Sequence, residues 1–166
     1  MRYRALGLAL AALSAAAMAQ PTGDWAFFTG DDGLVQAGVQ SADGWQFILK
    51  CDKAGKGSVY AVVVTTKPLV VTGSKNYQTR PAIISADGGA PDSQVWRYVD
   101  QFAMAVDYQH DRNLSRTLEE LNGKSRMDIE LQPDLMTHVR SSFNIKGTRE
   151  AAAKVFQSCK DVDPLG

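Results

Sequence analysis

A mainly antiparallel β-domain is the fold class that the sequence predicts. It takes the form of a sandwich or a partly closed barrel, with one short internal helix and a C-terminal helix. Three observations lead there. Apolar residues alternate with polar ones along many short runs, and period two marks half-buried strands. Turn signals rich in Gly, Asp and Pro separate those runs at short intervals. At two places only the apolar spacing lengthens to a helical stripe, at i, i+4, i+7 over Leu114–Leu121 and at i, i+3, i+4, i+7 over Ala152–Cys159.

Residues 1–19 read as a secretory signal peptide. Arg2 and Arg4 are its basic start, Gly7 to Leu13 its apolar centre, and Ala17-Met18-Ala19 a small-x-small cleavage site. The apolar run is shorter than the roughly 20 residues that span a bilayer, and no other stretch is long and apolar enough. The expected mature chain is thus one β-rich domain, 20–166, without a transmembrane segment.

Trp25 to Thr29 then form a short strand, and Gly30-Asp31-Asp32-Gly33 a turn. Leu34–Gln40 is the next strand, closed into a hairpin by Ser41-Ala42-Asp43-Gly44. Trp45, Phe47, Leu49 and Cys51 share one face of the strand that follows, which should be its core face. Gly55-Lys56-Gly57-Ser58 has the letters of a phosphate loop in the wrong order and without its spacing, so it reads as a hairpin turn. Ser58–Thr66 is apolar on both faces and belongs in the sheet centre. Leu69–Thr72 is expected to resume as an edge strand after Pro68. Ile83 and Ile84 suggest a short strand whose pairing Pro81 limits. Over 94–107, one long bent strand and two strands joined by a tight bend both fit.

Leu114, Leu118 and Leu121 mark the internal helix, with Asp111 or Asn113 as its cap and Gly123 just past its end. Met127-Asp128-Ile129-Glu130-Leu131 and Val139–Lys146 are strands with one wet face. Thr148 is the expected N-cap of the last helix, whose apolar face carries Ala152, Val155, Phe156 and Cys159. Residues 161–166 should fray.

Cys51 and Cys159 are the two cysteines of the chain, and separate periodicities aim both at the core. In an oxidising compartment two cysteines usually pair, which makes a disulfide the leading reading and two buried free thiols its competitor. No Cys-x-x-Cys is present, so such a bond should be structural rather than redox-active.

The composition narrows function. Eighteen basic residues face eighteen acidic ones, which leaves no basic excess for nucleic acid. His110 and His138 lie far apart with no cysteine cluster, so no metal or other cofactor is expected. Asp31-Asp32-Gly33 lacks the alternating oxygen ligands of a calcium loop. No Gly-x-Ser-x-Gly elbow exists, and nothing singles out a triad built on His110 and Asp107. The candidate partner surface is Trp96, Arg97, Tyr98, Tyr108, His110 and Arg112, joined by Tyr77 and Arg80, because Tyr, Trp and Arg anchor protein interfaces. Against it stands the reading that Trp96 and Tyr98 are core.

The C-terminal third carries Leu118-Glu119-Glu120-Leu121-Asn122-Gly123, Met127-Asp128-Ile129-Glu130-Leu131 and Phe143-Asn144-Ile145-Lys146-Gly147, then Ala151-Ala152 and Cys159. This order resembles the invasion-associated locus B family of small secreted or periplasmic bacterial proteins. The resemblance extends, less specifically, to the Trp-containing N-terminal strands and Cys51. It implies a β-rich periplasmic domain with an N-to-C disulfide and no catalytic residues to carry over. Stretch 66–112 matches no family pattern.

The leading expectation is a non-enzymatic, exported binding or accessory module with a protein partner in the cell envelope. The alternative is an enzyme or enzyme inhibitor acting on cell-wall or host material, with its site in 73–112. A small-ligand site in a β-cup is a third class.

Overall fold

A computed structural model of the chain describes residues 25–70 and 76–166. The signal-peptide reading of 1–19 lies outside the described residues. Eleven strands and two helices follow in the order β1 (Ala26–Thr29), β2 (Val35–Gln40), β3 (Gln46–Cys51), β4 (Val59–Val64), β5 (Gln78–Ala86), β6 (Asp92–Val99), β7 (Phe102–Ala105), β8 (Asp107–Tyr108), β9 (Asp111–Arg112), α1 (Asn113–Leu121), β10 (Arg126–Leu131), β11 (Val139–Asn144) and α2 (Thr148–Cys159).

Nine of the strands form one antiparallel sheet in the order β1-β2-β3-β4-β7-β6-β5-β10-β11, and β8 and β9 form a separate small hairpin. The first four strands are a simple meander. The chain then passes β7 and β6 to lay down β5 and returns, so that β7 docks on β4. The sheet curls without closing into a barrel. Its ends meet through side chains: Trp25 Nε1 donates to the Ile145 carbonyl at 3.3 Å, and Ser141 Oγ donates to Asp43 at 2.7 Å. Phe47 lies between Trp25 and Phe143, with ring centroids 5.7 and 6.1 Å away.

Strand parity decides what the curled sheet encloses. The inward set includes Phe47 and Leu49, then Trp96 and Tyr98, then Met127, Ile129 and Leu131, all essentially removed from solvent. Alanines at 61, 82, 86, 103 and 105 line the same face. Their small side chains let the helices approach closely: α1 packs on β5, β6 and β7, and α2 on β2, β3 and β4. The leucine stripe of α1 and the Ala152/Val155/Phe156/Cys159 stripe of α2 are both buried, as their spacing predicts.

Cys51 and Cys159 are joined in a disulfide with Cα atoms 6.2 Å apart, and no described cysteine is free. Closing a loop of 108 positions contributes about 4–5 kcal/mol in the chain-entropy account.

Several local expectations are corrected. Leu69 and Val70 form a bend, and both their amides donate to the Asp100 carbonyl, at 2.8 and 3.2 Å; the rest of that expected edge strand, Val71 and Thr72, lies outside the described residues. The strand around Ile83 and Ile84 is nine residues long rather than short, and Pro81 marks the limit of its pairing on one flank only: the ladder with β6 runs through it and the ladder with β10 ends beside it. The Pro81 carbonyl accepts from the Gln132 amide at 3.2 Å. Its ring nitrogen faces the same flank, where the ladder with β10 has stopped at Ala82–Leu131, so no ladder bond is forfeited. The 94–107 stretch resolves into two strands joined at Asp100, whose φ of 53° accounts for its break in the pattern.

Helix ends also differ. Neither Asp111 nor Asn113 caps α1. Arg112 holds the N-cap position without a side-chain bond, and the Asp107 carboxylate accepts the Ser115 amide of the first turn at 3.1 Å instead. At α2 the N-cap is Gly147, with φ 92°, while Thr148 is already helical and donates its hydroxyl to the Ile145 carbonyl. The tail does not simply fray. Asp161 accepts backbone amides of Gly57, Ser58 and Val59 at 2.7–2.9 Å, and Leu165 is buried.

Candidate functional site

The six predicted surface residues separate by strand parity. Trp96 and Tyr98 point inward and are 0 % exposed, which removes them from any partner surface. Each completes its polar atom within the chain. Trp96 Nε1 donates to Gln94 Oε1, which also accepts from Thr117 of α1. The Tyr98 hydroxyl donates to the Pro81 carbonyl and accepts the Gln132 amide. Burial pushes the Tyr98 phenol well above its ordinary pKa, so it stays protonated.

Arg97 points outward from the same strand. Its guanidinium lies over the Tyr77 ring, 4.7 Å from the centroid, and over the Tyr108 ring at 5.3 Å. Both tyrosines are more than half exposed, at 51 % and 57 %. The chain brings this trio together from three places: the start of β5, the middle of β6 and the β8–β9 hairpin. Arg and Tyr faces attract through the ring quadrupole, so the cation is held in one orientation at the surface. Among the described residues no carboxylate forms an ion pair with Arg97.

Around the trio the outer sheet face carries mainly apolar side chains. Register puts Ile48, Val62, Met104 and Arg97 on one cross-strand row, in which Val62 is buried, and Val64, Phe102 and Val99 on the next. Val95 is 56 % exposed and Phe102 also reaches solvent. The remaining predicted residues join less closely. His110 is exposed in the β8–β9 turn, and Arg112 pairs with Glu119 at 2.9 Å. Arg80 donates to Gln78 instead of meeting the trio.

A second polar cluster lies on the outer face of β10 and β11. Glu130 accepts from Arg140 Nε at 2.6 Å and from Gln132, and His138 Nδ1 stands 2.6 Å away. The contacts from His138, Gln132 and Arg140 hold the Glu130 carboxyl down at about 2. Asp128 is likewise held low, first by Arg126 and then, against burial, by Ser142. An open depression of about 600 Å³ runs beside Asp128, Glu130 and Arg140. Its charges are mutually paired, as in a solvated ion-pair network.

Sequence reasoning missed Asp161. The glycine turn at 55–58 does present converging amides to an anion, and the anion is this chain's own carboxylate. Asp107 is occupied as the remote cap of α1 and as the acceptor of the Ser115 hydroxyl. Among the described residues no group of three or more His, Cys, Asp or Glu side chains is placed to hold a metal ion, and no helix is long and apolar enough to cross a membrane. The inner face, where a β-cup would hold a ligand, is occupied by Phe47, Trp96, Tyr98, Phe143 and both helices.

No protein-family model, curated protein or solved structure matches the chain.

Proposed function

We propose that this chain is an exported, non-enzymatic binding module whose protein partner docks on the outer sheet face over β5, β6 and β7. The observation that carries the reading is the exposed Tyr77–Arg97–Tyr108 stack beside Val95 and Phe102. Aromatic and Arg side chains on a partly apolar face are the usual anchors of a protein interface, and contiguous exposed apolar surface is uncommon without such a role. Export is supported by the Arg2/Arg4 start, the apolar run and the Ala17-Met18-Ala19 site. The disulfide suits an oxidising compartment such as the periplasm. The likeness of 118–159 to the invasion-associated locus B family points the same way.

Site-directed photocrosslinking tests this reading. A crosslinker at position 108 should yield a discrete adduct in envelope extracts. Unlabelled protein should compete that adduct away, and an R97A/Y108A double variant should not. A crosslinker at Arg149, at the start of α2, is the control. Equal adducts from both positions, or equal competition by the double variant, would sink the proposal. Turnover of ester, peptide or glycan substrates that one substitution abolishes would replace it with the enzyme alternative.

A further inference from the structure

At the far end of the sheet from β11, we infer that the open edge of β1 and helix α2 form a cleft that takes an extended, carboxylate-bearing protein segment as a tenth strand. The cleft is separate from the Arg97 stack and is tested without it. Backbone phase comes first. Among the described residues β1 pairs with β2 alone. Antiparallel partners alternate between hydrogen-bonded and non-bonded pairs. The Gly30 amide donates to the Leu34 carbonyl at 3.0 Å, so Phe28 bonds Gln36 and Ala26 bonds Gly38. Strand β2 gives an independent check. The Ser41 amide donates to the Trp45 carbonyl at 2.9 Å, which turns the bonds of Val39 and Ala37 towards β3. The Val35 amide also points away from β1 and donates to Ser158 Oγ of α2 at 2.9 Å. The N–H and C=O groups of Phe27 and Thr29 therefore face the open edge, and no described group bonds them. Edges are commonly blunted by charge or proline. The opposite edge strand, β11, carries Arg140, whereas Ala26-Phe27-Phe28-Thr29 has neither device and exposes both rings.

Helix α2 supplies the other wall. Lys154, Gln157 and Ser158 fall at i, i+3, i+4 on one stripe of the helix. With Phe27, Thr29 and Val35 they line an open depression of about 390 Å³. Lys154 Nζ lies 4.1 Å from the Phe27 ring centroid, and no described carboxylate pairs with it. Residues directly opposite one another in a ladder share a face. An added strand thus sends the side chains opposite Phe27 and Thr29, two positions apart, into the depression. The residue between them lies beside Phe28 on the other face. The side chain opposite Phe27 stands next to Lys154, where Asp or Glu is recognised by charge. What selects a polypeptide is the backbone: N–H and C=O groups repeating every second residue along an edge are matched by another strand. A second copy of this chain also has that edge. Its Ala26–Thr29 strand contains no carboxylate, however, so self-pairing leaves the Lys154 charge unmet.

A displayed library of random peptides about nine residues long, selected on the intact mature protein, supplies the probe. Amide exchange reads the geometry. With the best clone added as a free peptide, the Phe27 and Thr29 amides should exchange at least about tenfold more slowly. The Phe28 amide, already bonded to Gln36, should not change. N-methylation of the peptide should abolish binding at alternate positions and spare those between. Thr29→Pro removes one outward donor and leaves the β2 ladder intact. It should weaken the peptide about tenfold at an unchanged urea midpoint. Lys154→Glu should weaken a Glu-bearing clone and bind its Glu-to-Lys version better. Selected peptides that protect neither amide, or that show no alternation in the N-methyl series, would overturn strand addition whether or not Thr29→Pro folds. Clones without acidic residues, bound equally by Lys154→Glu, would overturn the carboxylate. Protection of the same two amides without peptide, rising with protein concentration as a dimer forms, would make the occupant a second copy and overturn the separate segment. No enrichment over a library selected on Thr29→Pro would overturn the cleft itself.

Discussion

Strand β6 places two different regimes in adjacent residues. Gln94, Trp96 and Tyr98 face inward, and their polar groups are met within the chain: Trp96 by Gln94, Gln94 by Asp92 and by Thr117 of α1, and Tyr98 by Pro81 of β5 and the Gln132 amide just past β10. Val95 and Arg97 face outward, and what completes them within the chain is only a pair of exposed tyrosines. The residue types are alike on the two sides, with aromatic rings and hydrogen-bonding groups on each. What distinguishes them is whether the chain itself satisfies their chemistry. Inside, satisfaction makes Trp96 and Tyr98 part of the scaffold. Outside, the charge of Arg97 without a described ion-pair partner and the exposed Val95 and Phe102 side chains are capacity that folding does not use.

The contrast can be broken most forcefully on the scaffold side. Replacing Cys51 and Cys159 together with serine should cost about 4–5 kcal/mol of unfolding free energy in the chain-entropy account, read from urea melts. A loss below about 1 kcal/mol would mean that the bond is not a main staple. Before unfolding is even measured, thiol titration of the denatured, unreduced protein should find no free cysteine. Trp96→Ala should cost about 3–5 kcal/mol, as for other large aromatic truncations in a packed core; a near-neutral result would put Trp96 back among the surface residues.

Smaller effects sharpen the boundary. Asp161→Ala leaves three turn amides without their carboxylate and should cost about 1–3 kcal/mol. Glu130 is on the outer face yet satisfied within the chain. Its folded pKa is depressed to about 2 from 4.5, so its contribution is present above about pH 4.5 and is lost as pH falls towards 2. Wild type should therefore lose more stability over that acid window than Glu130→Gln, and superimposable profiles would contradict the ion-pair account. The smallest change is expected at Tyr108→Ala, within about 0.5 kcal/mol of wild type, because only surface contacts go. A larger loss would show that the hairpin ring belongs to the scaffold after all.

Much of the scaffold was legible because it is written in local periods. Parity aimed Cys51 inward and the 3.6-residue period did the same for Cys159, and the two predictions met in one bond. The same parity could have divided Trp96 and Tyr98 from Arg97, but grouping them by closeness along the chain blurred a distinction that alternation already contained. Other features leave no periodic mark. The order β4-β7-β6-β5 depends on non-local pairing, which turn residues do not encode. Asp107 as a remote helix cap and Asp161 as the anion of a distant turn are ordinary acidic residues until the fold supplies their amides. Tyr77 and Tyr108 become two sides of one cation only when three segments converge.

The staple also has a consequence in time. Cys51 leaves the ribosome, and any export channel, long before Cys159 follows 108 positions later. Throughout that interval it is an unpartnered thiol, open to exchange with oxidants or with other chains. The covalent lock, and the Asp161 contact two residues beyond it, can form only when nearly all the sheet is present. A product cut short between Cys51 and Cys159 carries a reactive sulfur and lacks its tail anchor, which gives quality-control machinery a chemical means of telling that unfinished chain from a finished one.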